Sequence, residues 1–165
     1  MDYREYSIIL SQVRTNSLTQ EHYDNEQGLI EVEASLSHSI LISHCNKSTV
    51  VIKGKANAIS IDNCQRLNLI IGSLVSSVDV VKASNFALQV DGVLPTILLD
   101  QVDGAQVYLT KESLGTEVFT SKCSSVNLSL PTADDEDSEE LALPEQLRTT
   151  IKDGKIVTEI VEHAG

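Results

Sequence analysis

The chain has 165 residues, 41% of them hydrophobic and only 4% aromatic, enough for one domain whose core is filled by Ile, Val, Leu and Ala rather than stacked rings. Twelve basic residues against twenty-four acidic ones leave a formal net charge of −12, a field that repels phosphate backbones and anionic lipid and so argues against nucleic acid and membrane as partners. Apolar runs fall short of the roughly eighteen residues of a spanning helix, the start MDYREYSIIL lacks the pattern of a secretory signal, and three cysteines are an odd number for a disulfide framework, so a reduced, cytoplasmic setting is expected.

In chain order, residues 1–22 are expected to form an N-terminal arm or a short amphipathic helix, because Tyr6, Ile9, Leu10 and Val13 recur at helical spacing. Residues 23–133 behave differently. The stretch VIKGKANAISIDNC, 51–64, packs two short apolar runs, each too short for a helix, and two polar corners into fourteen residues. Stepping nineteen residues along from Val50, Ile52, Ile59, Ile61 and Cys64 gives Leu69, Ile71, Val78, Val80 and Ala83, and a second step gives Leu88, Val90, Ile97, Leu99 and Val102. Every position is apolar. Stepping back reaches Ile40, Ile42 and Cys45, and stepping forward reaches Val107 and Leu109. A two-residue insertion within TKESLGT then shifts the series to Val118, Thr120 and Cys123, followed by Val126, Leu128 and Leu130.

Apolar residues alternate within each unit as in short strands with one face inward, and Gly54, Gly72, Gly92 and Gly104 fall at the breaks. A fixed period of this length is the signature of a solenoid, in which each unit is one turn and equivalent residues stack about 4.8 Å apart. The pattern predicts an all-β parallel β-helix of about six coils, with polar Asn46, Gln65, Ser84, Asp103 and Ser124 stacked just past one corner. An antiparallel β-sandwich is the competing reading, but in the repeat only Asp91-Gly92 and Asp103-Gly104 resemble its usual hairpin turns.

Beyond the repeats, DDEDSEE at 134–140 is expected to be a solvated acidic loop. In residues 141–165, the alternating runs LRTTIK and KIVTEIV flank Asp153-Gly154, a strong hairpin signal. This hairpin carries Ile151, Ile156, Ile160 and Val161. Alone it would be marginal, so it must pack on the open end of its solenoid or on another chain, and exchange between two chains would make a symmetric dimer.

Few residues suggest catalysis. Asp62 and Asp100 form a candidate carboxylate pair two coils apart, roughly 9–10 Å by strand spacing, which suits an inverting hydrolase of polysaccharide. Val81 lies between them and no aromatic sugar platform accompanies them. His38, His44 and Cys45 do not all point one way on a strand and lack a fourth metal ligand. Cys45, Cys64 and Cys123 read as small core residues at one corner, where a Cys45–Cys64 disulfide is sterically conceivable but not needed. Neither a glycine-rich phosphate loop nor a nucleophile–base motif stands out, so the expectation is a binding protein rather than an enzyme, with no cofactor and no metal.

VIKGKANAISIDNC, LPTILLDQVDGAQVYLTKESL, LPEQL and the terminal EHAG together resemble the C-terminal actin-binding domain of the cyclase-associated protein family, from about Tyr23 to Gly165. That resemblance implies a right-handed parallel β-helix, a homodimer made by exchange of the C-terminal hairpin, binding of monomeric actin with preference for its ADP-bound form, and promotion of ADP-to-ATP exchange. It further implies a cytoskeleton-associated protein of the cytoplasm. Because actin is acidic, local basic contacts are expected: Lys53, Lys55 and Asn57 match the family's KGK-x-N corner, with Asp62 and Asp100 on an adjoining outer face and Glu162, His163, Ala164 and Gly165 as a tail reaching the partner. The family's helical domain, proline-rich segment and verprolin-like motif are not in this sequence. If Met1 is the natural start the chain is a short stand-alone member, and cyclase and profilin binding are then unsupported. Tyr23 stands where members usually carry tryptophan. The related cofactor C domain of tubulin folding, which supplies an arginine to a GTPase, is a second comparison, with Arg66 in CQRLN as its loose counterpart.

Overall fold

Each sequence repeat becomes one turn of a coil that contributes a rung to two parallel sheets. The computed structural model describes residues 7–9, 29–134 and 136–162. Its strands are β1 Ser7–Ile9, β2 Leu29–Glu33, β3 Ser39–Ser43, β4 Asn46–Lys53, β5 Ala58–Ile71, β6 Ser77–Val90, β7 Thr96–Tyr108, β8 Glu117–Ser121, β9 Ser124–Pro131, β10 Ser138–Ala142, β11 Leu147–Lys152 and β12 Lys155–Ile160, with a 3-10 turn at Lys111–Ser113. The long strands β5, β6 and β7 each bend at a corner. Their first halves, with β1, β3 and β8, form sheet A; their second halves, with β2, β4 and β9, form sheet B.

All those pairings are parallel, which removes the sandwich reading. The register follows the sequence period: Ile59 lies opposite Val78 and Leu69 opposite Leu88, then Val78 opposite Ile97 and Leu88 opposite Val107. After the 3-10 turn the offset grows by the two inserted residues, so Ile97 meets Val118 and Val107 meets Leu128. The insertion is pinned by Thr116, whose Oγ1 donates to the Leu94 carbonyl at 2.6 Å, and by the buried Ser113.

Inward positions of the repeat, from Val50 and Ile59 to Leu99 and Val102, are buried in one continuous core. Burial of these branched side chains on every rung is the main stabilising term, at about 1.5–3 kcal/mol for each large one. The same period carries a further inward column that opens sheet B: Leu67, Phe86, Ala105 and Val126, all buried. Phe86 places one aromatic ring in an otherwise aliphatic interior.

The corner between the sheets holds two stacked columns of left-handed residues. His44, Asn63, Lys82, Gln101 and Lys122 have φ between 54° and 57°, and three residues later Lys47, Arg66, Asn85 and Ser125 have φ of 50° to 54°, with Gly104 at 83°. A left-handed conformation costs a residue with a Cβ about 1–2 kcal/mol. Backbone hydrogen bonds between rungs hold it there, His44 N–H to the Asp62 carbonyl and Gln65 N–H to the Cys45 carbonyl, each at 3.0 Å. The tight reversal points Cys45, Cys64, Ala83 and Val102 inward between the two columns. It also stacks Asn46, Gln65, Ser84, Asp103 and Ser124, as the repeat predicts.

Two regions depart from the sequence expectations, and in a third the expected C-terminal hairpin forms. Ser7–Ile9 pair as a strand with Ser39–Leu41, so a helix is not the conformation of those three residues; the rest of 1–22 lies outside the described residues. Sheet A supplies unpaired backbone groups to that segment, and a free amphipathic helix would leave them open. The acidic stretch is a loop only in its first part. Ser138–Glu140 belong to β10, antiparallel to β9, because an edge strand needs only backbone partners and its exposed side chains can remain charged. Finally, β11 and β12 form a two-stranded sheet of their own rather than adding to the solenoid's sheets. Leu147 and Ile160, at its base, border the end of the solenoid alongside Val118 and Leu143.

Candidate functional site

Three features contain the candidate residues: the corner after β4, the outer face of sheet A, and the hairpin. At the corner, Gly54 has φ of 89°, and an added Cβ would sit 2.6 Å from the Ala34 carbonyl oxygen, so this turn requires glycine. Glycine sets Lys53 and Lys55 on either side of a sharp bend, both exposed. Lys53 Nζ lies 3.0 Å from Glu31 Oε2, with the two side chains 51% and 50% exposed. At that exposure the pair contributes under about 1 kcal/mol; Lys53 can therefore exchange Glu31 for another anion. Asn57 is half-buried and holds the bend. Its backbone N–H donates to the His38 carbonyl at 2.9 Å and its Nδ2 to Ser39 Oγ at 3.4 Å, while its own carbonyl accepts from Ser76 Oγ at 3.1 Å.

Sheet A begins directly after this corner. Outward-facing residues form vertical columns, and Asp62, Val81, Asp100 and Ser121 stand opposite one another in register. Asp62 and Asp100 thus share a face, as their spacing implies. Beside them run Ser60, Asp79, Leu98 and Phe119. The two columns enclose a shallow depression of about 500 Å³ lined by Asp79, Val81, Leu98, Asp100, Phe119 and Ser121. Leu98 and Phe119 are exposed, and Asp79 Oδ1 is buried with no hydrogen-bond partner among the described residues. Sequence reasoning passed over Asp79, Leu98 and Phe119. The nineteen-residue step that finds the core also finds these, if applied to outward rather than inward positions.

On the hairpin, Leu147, Thr149 and Ile151 stand opposite Ile160, Thr158 and Ile156 on one face, with Thr149 and Thr158 hydroxyls 3.0 Å apart. Ile151 and Ile156 are 78% and 75% exposed, so the outer part of this apolar face has no cover among the described residues. The other face carries Arg148 and Glu159, paired at 2.5 Å. Leu147 belongs with the apolar set and sequence reasoning omitted it. Val161 lies past β12, half-buried, where its N–H donates to the Gln146 carbonyl at 2.9 Å and closes the hairpin's base. Glu162 is exposed; His163, Ala164 and Gly165 lie outside the described residues.

The remaining candidates do not converge. His38 Nδ1 accepts from Ser35 N–H at 3.1 Å, and His44 Nε2 lies 3.3 Å from Asn63 Nδ2 at the corner column. Cys45 is buried beside Cys64, and among the described residues no group of three His, Cys, Asp or Glu side chains could hold a metal ion. The cysteines are free thiols, Cys45 N–H pointing at Cys64 Sγ at 3.4 Å. A hydrogen bond with Cys45, followed by burial, pushes the Cys64 thiol far above its ordinary range and makes it a poor nucleophile. Arg66 is exposed in the left-handed corner.

The model of the family described as adenylate cyclase associated (CAP) C terminal matches residues 10–163. An adenylyl cyclase-associated protein of Schizosaccharomyces pombe is 39% identical over 90% of this chain and 27% of its own length. That of Dictyostelium discoideum is 37% identical over 90% of the chain and 32% of its own, and human adenylyl cyclase-associated protein 2 is 35% identical over 86% and 29%. The chain therefore spans roughly a third or less of these curated relatives. Among solved structures, the cyclase-associated protein of Cryptosporidium parvum superposes with a TM-score of 0.78 at 30% identity, covering 83% of this chain and 85% of that one. With its parallel solenoid, its glycine-bent lysine corner and a family match across nearly its whole length, the chain belongs to the cyclase-associated protein family, in the C-terminal domain of that family.

Proposed function

We propose that the protein binds monomeric actin, preferring the ADP-bound form, and promotes exchange of its nucleotide in the cytoplasm, so regulating filament turnover. The observation that carries this reading is membership of the family over residues 10–163, with the KGK-x-N corner intact. Lys53, Lys55 and Asn57 at that corner, the adjoining Asp62 and Asp100, and the tail Glu162, His163, Ala164 and Gly165 are the proposed contacts. The mechanism is conformational: the binder favours an actin state that holds ADP less tightly, and its effect is limited by its differential affinity for the two states. No covalent step is required, so this is a binding protein rather than an enzyme.

The uncovered apolar face of the hairpin supports a homodimer through Ile151, Ile156 and Ile160, with Val161 at its base. An isolated two-stranded hairpin is marginal in water, and an exchanged pair would bury both apolar faces under two-fold symmetry. A dimer would offer two actin-binding surfaces, raising avidity where geometry allows both to engage.

Two measurements test this. Sedimentation of the purified chain with monomeric actin should give a complex, and fluorescent nucleotide should leave ADP-actin faster in its presence. The Lys53→Ala/Lys55→Ala variant should bind less tightly. Release unchanged by the wild-type chain would defeat the exchange reading, whereas full binding by the double variant would remove only the lysine assignment.

A further inference from the structure

Among the described residues, the outer face of sheet A carries a pattern that sheet B does not share. Its columns are Ala58, Ser77, Thr96 and Glu117; then Leu41, Ser60, Asp79, Leu98 and Phe119; then Asp62, Val81, Asp100 and Ser121. Carboxylates and apolar groups alternate there, and these positions include no lysine or arginine. On sheet B, one outward column, Thr49, Asn68, Ala87, Gln106 and Asn127, is uncharged and mostly amide or hydroxyl, and the next, Val51, Ile70, Gln89, Tyr108 and Ser129, is apolar or neutral with a single carboxylate, Glu31, at its β2 end. Even with the chain's acidic balance, carboxylates surround an apolar floor on only one of these two faces.

We propose that the depression over Val81, Leu98 and Phe119 is an anchor of the actin contact and receives an apolar side chain of the partner that stands next to a lysine or arginine. This rests on the actin reading above and adds the chemistry of one subsite to it. Leu98 and Phe119 are large, exposed and adjacent, so covering them removes apolar area from water. Asp79 and Asp100 line the same hollow. Asp79 is only partly buried, so its carboxylate meets the hollow and can attract a partner cation there, although its Oδ1 is itself closed to water and unpartnered among the described residues. The paired strands beneath hold Asp79, Val81, Leu98, Asp100, Phe119 and Ser121 in fixed register, and such pre-ordering favours binding. The hollow and the lysine corner then divide the work. The corner seeks anions and the hollow seeks an apolar residue with a cation beside it, which fixes the orientation of one partner across both.

The experiment is equilibrium binding of labelled ADP-actin monomer to the full chain and three variants, at low and high salt. Leu98→Ser/Phe119→Ser should weaken binding about tenfold or more at both salts. Asp79→Asn/Asp100→Asn should weaken it several-fold at low salt and by less at high salt, where screening has already removed the attraction. Lys53→Ala/Lys55→Ala serves as the comparison. All substituted side chains lie on the surface or at its margin, and thermal melts should confirm that each variant is folded. Wild-type affinity in a folded Leu98→Ser/Phe119→Ser variant overturns this inference and leaves the actin reading standing. Loss of a fixed factor at both salts in the aspartate variant overturns the cation half of it. Absence of binding by the wild-type chain overturns the actin reading and this subsite together.

Discussion

The solenoid and the terminal hairpin use the same β-strand chemistry and arrive at opposite states. In the solenoid, Ile59, Leu69, Val78 and Leu88 are fully enclosed, because each rung's apolar side meets the rungs above and below and the opposite sheet. In the hairpin, Ile151 and Ile156 face each other across one strand pair and remain mostly in solvent. Alternation of apolar residues is therefore insufficient for burial; a strand must also have a second layer to face. The solenoid provides its own second layer, whereas the described residues give Ile151 and Ile156 none.

Substitutions on either side of this contrast test it. The largest effect on the single chain is expected from Leu88→Ala, where loss of a fully buried side chain should cost about 2–5 kcal/mol in urea unfolding. Next comes Gly54→Ala, where a strained backbone and the clash with the Ala34 carbonyl should cost about 1–3 kcal/mol, read from the same denaturation midpoint. Ile151→Ser/Ile156→Ser should change single-chain stability by less than about 0.5 kcal/mol, yet abolish self-association in sedimentation velocity. A stability loss as large as that of Leu88→Ala would mean that the hairpin packs on its own solenoid. A small effect of the opposite sign is expected at the corner: Lys82→Gly removes the left-handed strain but gives the unfolded chain more freedom, so a net gain of about 0.5 kcal/mol is expected in thermal melts.

The period of the repeat made much of the fold legible, because in stacked coils one sequence distance becomes one spatial relation. Ile59, Val78, Ile97 and Val118 could be aligned on paper and lie in register in the structure. The left-handed corner was not legible, since His44, Asn63, Lys82 and Gln101 fill it and the glycine that would mark it occurs only at Gly104. β10 escaped notice because every one of its side chains is exposed, which erases the alternation that reveals a half-buried strand. At the candidate site, the Lys53–Glu31 pair links β2 to β4 across a register of twenty residues rather than nineteen, Leu29 lying opposite Thr49, so the repeat gave no warning of it. Nothing in the sequence singles out Asp79, and only coordinates reveal that one of its oxygens is out of reach of water.

The reversed direction of β10 has a consequence for assembly. A stack of like-directed rungs is a template that could in principle recruit another molecule end to end and grow into a fibre. By laying an antiparallel, acid-bearing strand over β9, the chain occupies half of that terminus with a rung that breaks the like-directed order an incoming coil would extend. Growth along the coil axis is thereby blunted at that end, and the molecule can keep a long, repetitive β architecture without behaving as a seed.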